Sequence, residues 1–600
     1  MKMKKKLVSL ALAATLGLSV SALAACGFTQ QEADDPTVTH LYVGVFNGGF
    51  GTDSWDDMGK RFETIFKDVS FEDGKTGVKV HVLPKKDQYS ESAVLAKIAT
   101  NQEDMYYINP NLRSFINNDT ILDVDDVVKN TYDFDPLASK VYGSEFGDTA
   151  TIEGKFANEE IKNFTLQLDP DTNKKYYGVP VYVSTNSMIY DVNLWEERKF
   201  YFTRAYEEGK TDSVSGKIKV NAKTAADDSA WWTGGLDGEA EKSLGQDGVK
   251  GTFDDGLPYD FKDFKVMIDK IAGEGCIPFT YSGANAVYVR EFLVQMYANY
   301  EGAKDFMLNL TFGGDYAPGG VTDSEGTLIN YDTGYEVANQ RGRLKTLEFC
   351  HWMVHGSDTL GGWFRKGDAF NGGSHTDTQA HFVGSCDEDA GQRQAILIEG
   401  NWWEHEAQAK ITEMESLGFP NRRYGVMTFP IMDELDDRAV SENPQKILYS
   451  IQAYSYAIIA KKATAGVARA AKLFLAYTTN NYNLGYYTAI SGATRPFKYT
   501  IDETSDLYKN MSYYKKANWD LYKGVMNGTT DLVYTRGTGK ISFGSGETIL
   551  SKLGFQHNNY AEPLQAFYNH DDLTALQYQQ DIYDALKNSW DTTYKTLLNQ

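Results

Sequence analysis

The chain has 600 residues, with 59 Lys plus Arg against 82 Asp plus Glu, which gives a formal net charge of −23 at pH 7. This acidity excludes a general nucleic-acid binder, because such proteins need a basic surface to neutralise phosphates. Hydrophobic residues make up 42% and charged residues 24%, an ordinary globular composition that excludes collagen, coiled coils and disordered tails. The length exceeds what one hydrophobic core usually organises, so at least two lobes are expected.

The N-terminus has the pattern of an export signal. Four lysines among the first six residues precede the apolar stretch from Leu7 to Ala25, which ends in Leu23-Ala24-Ala25-Cys26. A basic region, an apolar region and small residues at the cleavage site predict a secretory signal peptide over residues 1–25. The last four residues resemble the lipobox of bacterial lipoproteins, in which Cys26 becomes the lipidated N-terminus, and residues 26–38 then form a tether. The alternatives are a plain signal peptide or a short membrane helix with an accidental Cys.

Alternating strand and helix patterns follow the tether. A β-rich run from Thr39 to Phe46 precedes a Gly-rich loop and a helix with apolar residues recurring from Trp55 to Phe66. Further strands are predicted over 78–83 and 104–108, with a helix between them, so the first lobe is predicted to be α/β with a parallel sheet. Ligands of such sheets bind beyond the carboxyl ends of the strands, which here means Asn47 to Phe50 and Asn109 to Arg113.

The rest of the chain contains a polar insertion and then resumes regular patterns. Residues 207–258 are rich in Gly and Asp, which predicts an insertion on the surface of a second lobe. A strand is predicted over Ser455 to Ala460. Helices are predicted from apolar periodicity over Asp263 to Ile271, Tyr288 to Tyr297, Leu344 to Val354, Ala463 to Tyr477 and Asp572 to Leu598.

Several short segments occur in a recognisable order. They are Tyr176-Tyr177-Gly178-Val179-Pro180, Ser187-Met188-Ile189-Tyr190, Ala395 to Trp403, Tyr424-Gly425-Val426 with Phe429-Pro430, Ile458 to Lys462 and Ala470 to Leu475. In this order, behind a lipobox, they resemble the extracellular solute-binding proteins of carbohydrate ABC importers, the family that includes maltose-binding protein. The resemblance implies a periplasmic-binding-protein-like α/β fold of two lobes, with hinge crossings and a ligand cleft between them.

The resemblance also implies an organisation and a function. Crossings are expected near Tyr182 to Thr185, Tyr454 to Ser455 and Ser491 to Ala493, with 39–182 plus 455–490 as lobe 1 and 183–454 plus 491–600 as lobe 2. The implied protein is anchored through Cys26 at the extracytoplasmic face of the cell membrane. It captures a carbohydrate, with an oligosaccharide favoured, and delivers it to an ABC permease. A monomer is expected, with no nucleic-acid partner, no cofactor and no metal.

A sugar presents an apolar C–H face and a rim of hydroxyls, so its receptor needs aromatic rings together with amides or carboxylates. Asn401, Trp402 and Trp403 supply these groups directly after a predicted strand. The matching family motif places a ligand-stacking Trp after this turn, which corresponds to Trp402. For both indoles the competing interpretation is burial in a core.

Other candidate ligand residues follow predicted strands or crossings. For the asparagines the alternative is a turn role, for the aromatic residues it is core packing, and for the arginine it is a solvated surface position. The candidates are Asn47, Phe50, Asn109, Asn111, Tyr182, Tyr288 and Arg495.

Three patterns suggest other chemistry. Glu399, Glu404 and Glu406 near the tryptophans raise the alternative of a surface-anchored glycoside hydrolase, which would need two carboxylates about 5 to 10 Å apart. His351 and His355 lie four apart on a predicted helix without the HExxH order, so packing is favoured over zinc. The acidic loop that contains Asp247-Gly248, Gly251 and Asp254-Asp255-Gly256 lacks EF-hand spacing, so a turn is favoured over calcium. The other three cysteines have no CxxC pair and are expected to be buried thiols, with one accidental disulfide left open: Cys276, Cys350 and Cys386.

Overall fold

The computed structural model describes residues 34–47, 49–84, 91–108, 112–130, 132–166, 175–210, 230–234, 240–312, 319–389, 391–432, 446–449, 456–533 and 562–595. Five predictions fall outside these residues: the signal peptide over 1–25, the lipidated Cys26, the candidates Asn109 and Asn111, and the crossing at 454–455. Within the described part of the chain, no helix combines the length and the apolar character needed to cross a bilayer.

The strands are short and are numbered here in chain order. They are β1 (Thr39–Val45), β2 (Val78–Pro84), β3 (Met105–Ile108), β4 (Val179–Pro180), β5 (Asn186–Asp191), β6 (Ile277–Thr280), β7 (Val321–Thr322), β8 (Leu328–Ile329), β9 (Gln394–Gly400), β10 (Tyr424–Met427), β11 (Lys446–Tyr449), β12 (Tyr456–Ile459) and β13 (Thr530–Val533). They form a sheet of order β2-β1-β3-β12-β4, a sheet of order β10-β5-β9-β6, and the pairs β11-β13 and β7-β8.

Helices cover most of the remaining regular structure. The longer ones are Asp53–Phe66, Glu91–Lys97, Glu159–Leu166, Val192–Arg198, Arg204–Lys210, Phe261–Gly273, Ala286–Glu301, Arg341–His355, His375–Gly384, Gln408–Ser416, Ala465–Thr478, Asn481–Ser491, Tyr513–Asn527, Pro563–Asn569 and Ala575–Ser589. Shorter helices are Leu112–Asn117, Asp125–Lys129, Ile152–Lys155, Ala303–Phe306, Leu308–Thr311, Lys366–Ala369, Trp403–Glu406 and Asp506–Lys509. Short 3-10 helices lie at Ala138–Lys140, Ser144–Phe146 and Gly334–Asn339, and a π-helical turn at Trp590–Tyr594.

The first lobe is built on the sheet that contains β1. Strands β1, β2 and β3 are parallel to one another, and β12 is antiparallel to both β3 and β4. Parallel strands covered by helices on both faces become almost continuously apolar, and β1 is buried along nearly its whole length. The helix Asp53–Phe66 packs its Phe62 ring against Phe474, at a centroid distance of 5.2 Å. The predicted strands and helices of this lobe are therefore confirmed, whereas the predicted parallel sheet is mixed, because β12 runs antiparallel to its neighbours.

The second lobe is built on the sheet that contains β9. All seven residues of β9 are buried, and the strand runs antiparallel to β5 and parallel to β6. β10 adds to the other side of β5 in antiparallel register. The two sheets and their covering helices form the two-lobed α/β fold that the sequence predicted.

Two chain segments meet at the junction of the lobes. The chain passes from β4 in the first sheet to β5 in the second through residues 181–185, where the Val183 N–H donates to the Thr494 carbonyl at 2.8 Å. After Thr494 the chain packs on the first lobe, since Phe497 stacks on Phe156 at 5.5 Å. The helix Tyr513–Asn527 then reaches the second lobe. Residues directly after 494 thus lie with the first lobe, although the sequence analysis assigned 491–600 to the second.

The polar insertion is partly packed into the second lobe. Trp231 lies against Phe202 with a ring distance of 4.7 Å, and Phe253 and Leu257 are buried. The carboxylate of Asp254 accepts hydrogen bonds from two backbone N–H groups and one hydroxyl, so it organises a turn. The insertion is therefore more buried than predicted. The sequence analysis missed this because the few apolar residues of the insertion are irregularly spaced and give no periodic signal. The expected buried thiols are observed at Cys276, Cys350 and Cys386, and none forms a disulfide with another.

A buried ion pair ties distant segments of the first lobe together. The Lys155 ammonium pairs with Asp148 and donates to the Thr479 carbonyl at 2.7 Å. The other polar contacts of Asp148 include the N–H of Asn481, at 3.1 Å. Burial lowers the pKa of Lys155 to about 8. The two charges are therefore held in a poorly solvated position that depends on their pairing.

Replacing Asp148 tests this dependence. We expect Asp148→Asn to lower the free energy of unfolding by about 3–5 kcal/mol, because it leaves a buried ammonium without its counter-charge. Urea denaturation at pH 7 measures the change. The matched control is Glu503→Gln, which breaks the exposed pair with Lys523 and should cost about 0–1 kcal/mol. Equal losses in the two variants would contradict a special role for the buried pair.

Candidate functional site

The candidate site centres on the turn that follows β9. The strand ends at Gly400, and the chain continues through Asn401 and Trp402 into the short helix Trp403–Glu406. The Trp402 ring folds back over Gly400, where an added Cβ would lie 2.2 Å from ring carbons of the indole. Only glycine leaves room for this arrangement, so the Gly-Asn-Trp order determines where the indole lies.

Trp402 lies where the two lobes meet. Its ring contacts Phe50 of the first lobe at 6.3 Å and Tyr288 of the second lobe at 5.5 Å. Phe50 also contacts Tyr182, in the segment that links the lobes, at 5.1 Å. We call Phe50, Tyr182, Tyr288 and Trp402 the interlobe aromatic cluster. The structure thus brings together four of the residues predicted from sequence, although Trp402 itself is only 3% exposed.

The loop after β1 approaches the second lobe closely. An added Cβ at Gly51 would lie 2.4 Å from the His405 ring, and one at Gly49 would lie 2.9 Å from the Glu406 carboxylate. Both glycines have positive φ, +88° for Gly49 and +73° for Gly51, which side-chain-bearing residues rarely adopt. The sequence analysis did not assign His405 to the site. His405 lies three residues after Trp402, on the short helix that follows it, and this proximity was the available signal.

The asparagines near the cluster hold backbone in place. The Asn47 side-chain oxygen accepts from the Gly51 N–H at 2.9 Å, which shapes the β1 loop. The Asn401 side-chain amide donates to the Val183 carbonyl at 3.0 Å, and its backbone N–H donates to the Thr185 carbonyl at 2.9 Å. These amides position the aromatic residues and the lobe junction, which is the turn role considered as the alternative for Asn47.

Trp403 is a packing residue of the second lobe. Its side chain is fully buried against Tyr424, at 5.0 Å, and Tyr514, at 5.5 Å. Successive residues of a helical turn point about 100° apart, so the two neighbouring indoles face different surroundings. Trp403 therefore lies in the core of the second lobe, which is the competing interpretation, and not at the predicted ligand contact.

Arg495 is likewise placed inside the first lobe. Its guanidinium lies over the rings of Trp55, Tyr487 and Phe497 at 5.4 to 5.8 Å, and it donates to the Thr478 carbonyl at 3.3 Å. The side chain is fully buried. It is neither the ligand contact nor the solvated residue that the sequence suggested, because Trp55, from a distant part of the chain, packs on it together with the nearby Tyr487 and Phe497.

Two glutamates beside the turn share one amide. The Gln379 side-chain amide lies 3.4 Å from a carboxyl oxygen of Glu399 and 3.0 Å from one of Glu406. Glu399 also accepts from the Gly400 N–H at 2.9 Å. Burial, with a smaller contribution from the Glu406 charge, raises the pKa of Glu399 to about 8. A carboxyl group with this pKa is mostly protonated at pH 7 and can then donate as well as accept a hydrogen bond. The third glutamate considered, Glu404, accepts from the Ser512 hydroxyl at 2.8 Å.

A separate cavity of about 260 Å³ lies in the second lobe, at the insertion. It has no residue in common with the interlobe aromatic cluster. Its lining combines three aromatic side chains with charged and amide groups, among them Phe202, Tyr206, Tyr259, Glu207, Lys210 and Gln246. The Lys210 ammonium is bonded to Asp260 and Asp263, so it is held by the protein itself.

Comparison with known proteins gives similarities in structure alone. No family model matches the chain, and no curated protein does. The apo form of RafE from Streptococcus pneumoniae is 14% identical over 93% of this chain and 100% of its own, with a TM-score of 0.48. RafE in complex with raffinose gives 14% identity over 92% and 100%, with a TM-score of 0.47. A manno-oligosaccharide specific solute binding protein of Bifidobacterium animalis subsp. lactis, in complex with mannotriose, gives 12% over 93% and 95%, with a TM-score of 0.45.

The raised pKa of Glu399 predicts how stability changes with pH. The ordinary pKa of a glutamate is 4.5, and the pKa of Glu399 in the folded protein is about 8. Between pH 4.5 and about pH 8, Glu399 therefore keeps a proton in the folded protein that it releases in the unfolded chain. The free energy of unfolding therefore falls as the pH rises through this window, and is lowest above pH 8. Glu399→Gln removes the titration. We expect it to stabilise the protein by on the order of 3 kcal/mol at pH 8, and by much less at pH 5.

Denaturant titrations at a series of pH values measure this effect. Glu413→Gln, on the surface beside Lys410, is the control and should leave the pH profile unchanged. Parallel pH profiles for the wild type and Glu399→Gln would show that Glu399 is ionised at neutral pH.

Proposed function

We propose that this protein is a receptor that captures a carbohydrate, with an oligosaccharide favoured, between its two lobes and delivers it to an ABC permease. The observation that carries the proposal is the position of Trp402, which contacts Phe50 of one lobe and Tyr288 of the other. Aromatic rings offered by both lobes at one point are the surfaces that the apolar face of a sugar needs. The proposed function is binding and delivery, without bond cleavage.

Polar groups next to the cluster suit the hydroxyl rim of a sugar. His405 and Glu406 lie on the helix that follows Trp402, and Gln379 bridges Glu406 to Glu399. His405 and Glu406 offer a ring nitrogen and a carboxylate at the surface, and the Gln379 amide and the Glu399 carboxyl group are buried directly behind them. Such a mixture can donate to and accept from hydroxyl groups, which act in both ways.

Capture then depends on motion of the lobes about their junction. A ligand that touches both lobes gains its full set of contacts only when the lobes are closed, so it shifts the population toward the closed state. The Gly49 and Gly51 backbones allow the β1 loop to approach the second lobe closely. The closed and open forms present different surfaces to the permease, which is how binding would be signalled.

The proposal is tested by ligand binding to Trp402→Ala. If Trp402 stacks on the sugar, the affinity falls by about 1–3 kcal/mol, roughly 5- to 150-fold in Kd. Isothermal titration with raffinose and mannotriose as first probes, followed by a wider oligosaccharide panel, measures the change. Trp232→Ala, in the second lobe outside the interlobe aromatic cluster, is the matched control and should bind like the wild type. An unchanged affinity in a folded Trp402→Ala protein would remove Trp402 from the site.

The same samples separate a receptor from a hydrolase. A receptor is stabilised by its ligand, so its melting temperature rises with sugar concentration while the sugar stays intact. Chromatography of the sugar after incubation measures cleavage. Released monosaccharides would contradict the binding function and support the hydrolase.

We also propose that Cys26 is the lipidated N-terminus and anchors the receptor at the outer face of the membrane. Two acyl chains on one Cys suffice for stable anchoring, where a single chain is marginal. We expect Cys26→Ser to abolish incorporation of radiolabelled palmitate and to move the protein from the membrane fraction. Cys276→Ser, at a buried thiol, is the control and should leave labelling unchanged. Labelling that survives in Cys26→Ser would contradict the anchor.

A further inference from the structure

Two histidines meet on the edge of the first sheet. Strands β1 and β2 are parallel, with His40 opposite Lys79 and Tyr42 opposite His81. Alternate residues of a strand share a face, so His40, Tyr42 and His81 lie side by side. His40 Nδ1 is 2.8 Å from His81 Nε2, and the two ring centroids are 5.1 Å apart.

An aspartate completes the group from the segment before β1. A carboxylate oxygen of Asp34 lies 3.8 Å from His40 Nδ1. One potential ligand atom from each of Asp34, His40 and His81 falls within 4.8 Å of the other two. In the described part of the chain this is the one trio of His, Cys, Asp or Glu residues that converges so closely.

The surrounding hydrogen bonds orient the potential ligand atoms. His40 Nε2 lies 2.8 Å from the Asp35 carbonyl, which can only accept, so Nε2 carries the proton and Nδ1 presents its lone pair to the group. The Tyr42 hydroxyl donates to one oxygen of Asp34 and leaves the other directed toward His40. Metal-binding imidazoles characteristically donate their second N–H to a carbonyl or carboxylate in this way.

We propose that Asp34, His40 and His81 form a binding site for a divalent transition metal ion, for which Zn²⁺ is the probe. Two imidazole nitrogens and one carboxylate oxygen are a ligand set that such ions accept, and a water molecule can fill the fourth position of a tetrahedron. Mg²⁺ and Ca²⁺ prefer sites made of oxygen alone and would bind weakly here. Because Asp34 precedes β1 and His81 belongs to β2, the ion joins the N-terminal segment to the edge of the sheet.

The direct test is a metal titration of the tag-free full-length chain after removal of bound metal with a chelator. We expect one equivalent of Zn²⁺ to bind by calorimetry, and Co²⁺ to give the intense visible absorption of a tetrahedral site with nitrogen and oxygen ligands. His40→Ala, His81→Ala and Asp34→Asn should each weaken Zn²⁺ binding at least tenfold. Ca²⁺ at the same concentration should bind at least tenfold more weakly than Zn²⁺.

A second contacting histidine pair, in the part of the chain that the structure describes, provides a matched control. His351 and His355 stack at 4.4 Å on the helix Arg341–His355, with Phe567 against His351. His351→Ala should leave Zn²⁺ binding unchanged. Tyr42→Phe keeps all three ligands but removes the hydroxyl that orients Asp34, so it should weaken binding by up to about tenfold without altering the circular dichroism spectrum.

Two results would overturn the site. The first is no Zn²⁺ binding by the wild type at millimolar concentration, which would make His40 and His81 a simple hydrogen-bonded pair. The second is equal binding by the wild type and the three ligand variants. A Zn²⁺-dependent rise in melting temperature, present in the wild type and absent from folded ligand variants, provides a second readout. No sugar is present in these measurements, so their outcome is independent of the carbohydrate site.

Discussion

The close contact of Trp402 with the β1 loop is the interaction on which the arrangement of the site depends. It requires glycine on both sides of the indole: Gly400 lies beneath the ring, and Gly49 and Gly51 lie across from it. A methyl group at any of these positions would occupy space already filled by Trp402 or His405. Small residues thus define how near the lobes come, while large aromatic residues supply the surface between them.

The asparagines around this contact are already hydrogen-bonded to the backbone without a ligand. Asn47 shapes the β1 loop and Asn401 bonds to the segment that links the lobes. A side chain held by backbone hydrogen bonds does not need to be ordered again on binding, so less conformational entropy is lost at that step. The amides that the sequence suggested as ligand contacts act here through the positions of their neighbours.

Local patterns in the sequence predicted local structure well. The strands β1, β2 and β3, and the helix Asp53–Phe66, were predicted because their apolar residues recur with the period of the element. The insertion was harder, because Trp231 and Leu257 are buried without any regular spacing. Boundaries also shifted: the C-terminal helix predicted over 572–598 begins at Ala575 and passes into a π-helical turn at Trp590, and residues 596–598 lie outside the described part of the chain.

The candidate site was predicted in part. The sequence analysis missed features that depend on contacts between separate elements. Trp402 and Trp403 are adjacent and chemically identical, so the sequence could not separate the interlobe indole from the core indole. The burial of Arg495 depends in part on Trp55, far away along the chain, and the group of Asp34, His40 and His81 depends on the register of β1 and β2. Such juxtapositions arise only when separate elements pair, which periodicity within one element does not report.

The hydrogen bond between Val183 and Thr494 constrains the lobe motion that the proposed function requires. A lone linking strand could rotate about every φ and ψ along its length and would let one half twist freely on the other. Two linking segments joined by a backbone hydrogen bond form a hinge that bends about one axis and resists twisting. With such a hinge, the proposed opening and closing of the lobes keeps Phe50 and Trp402 facing each other.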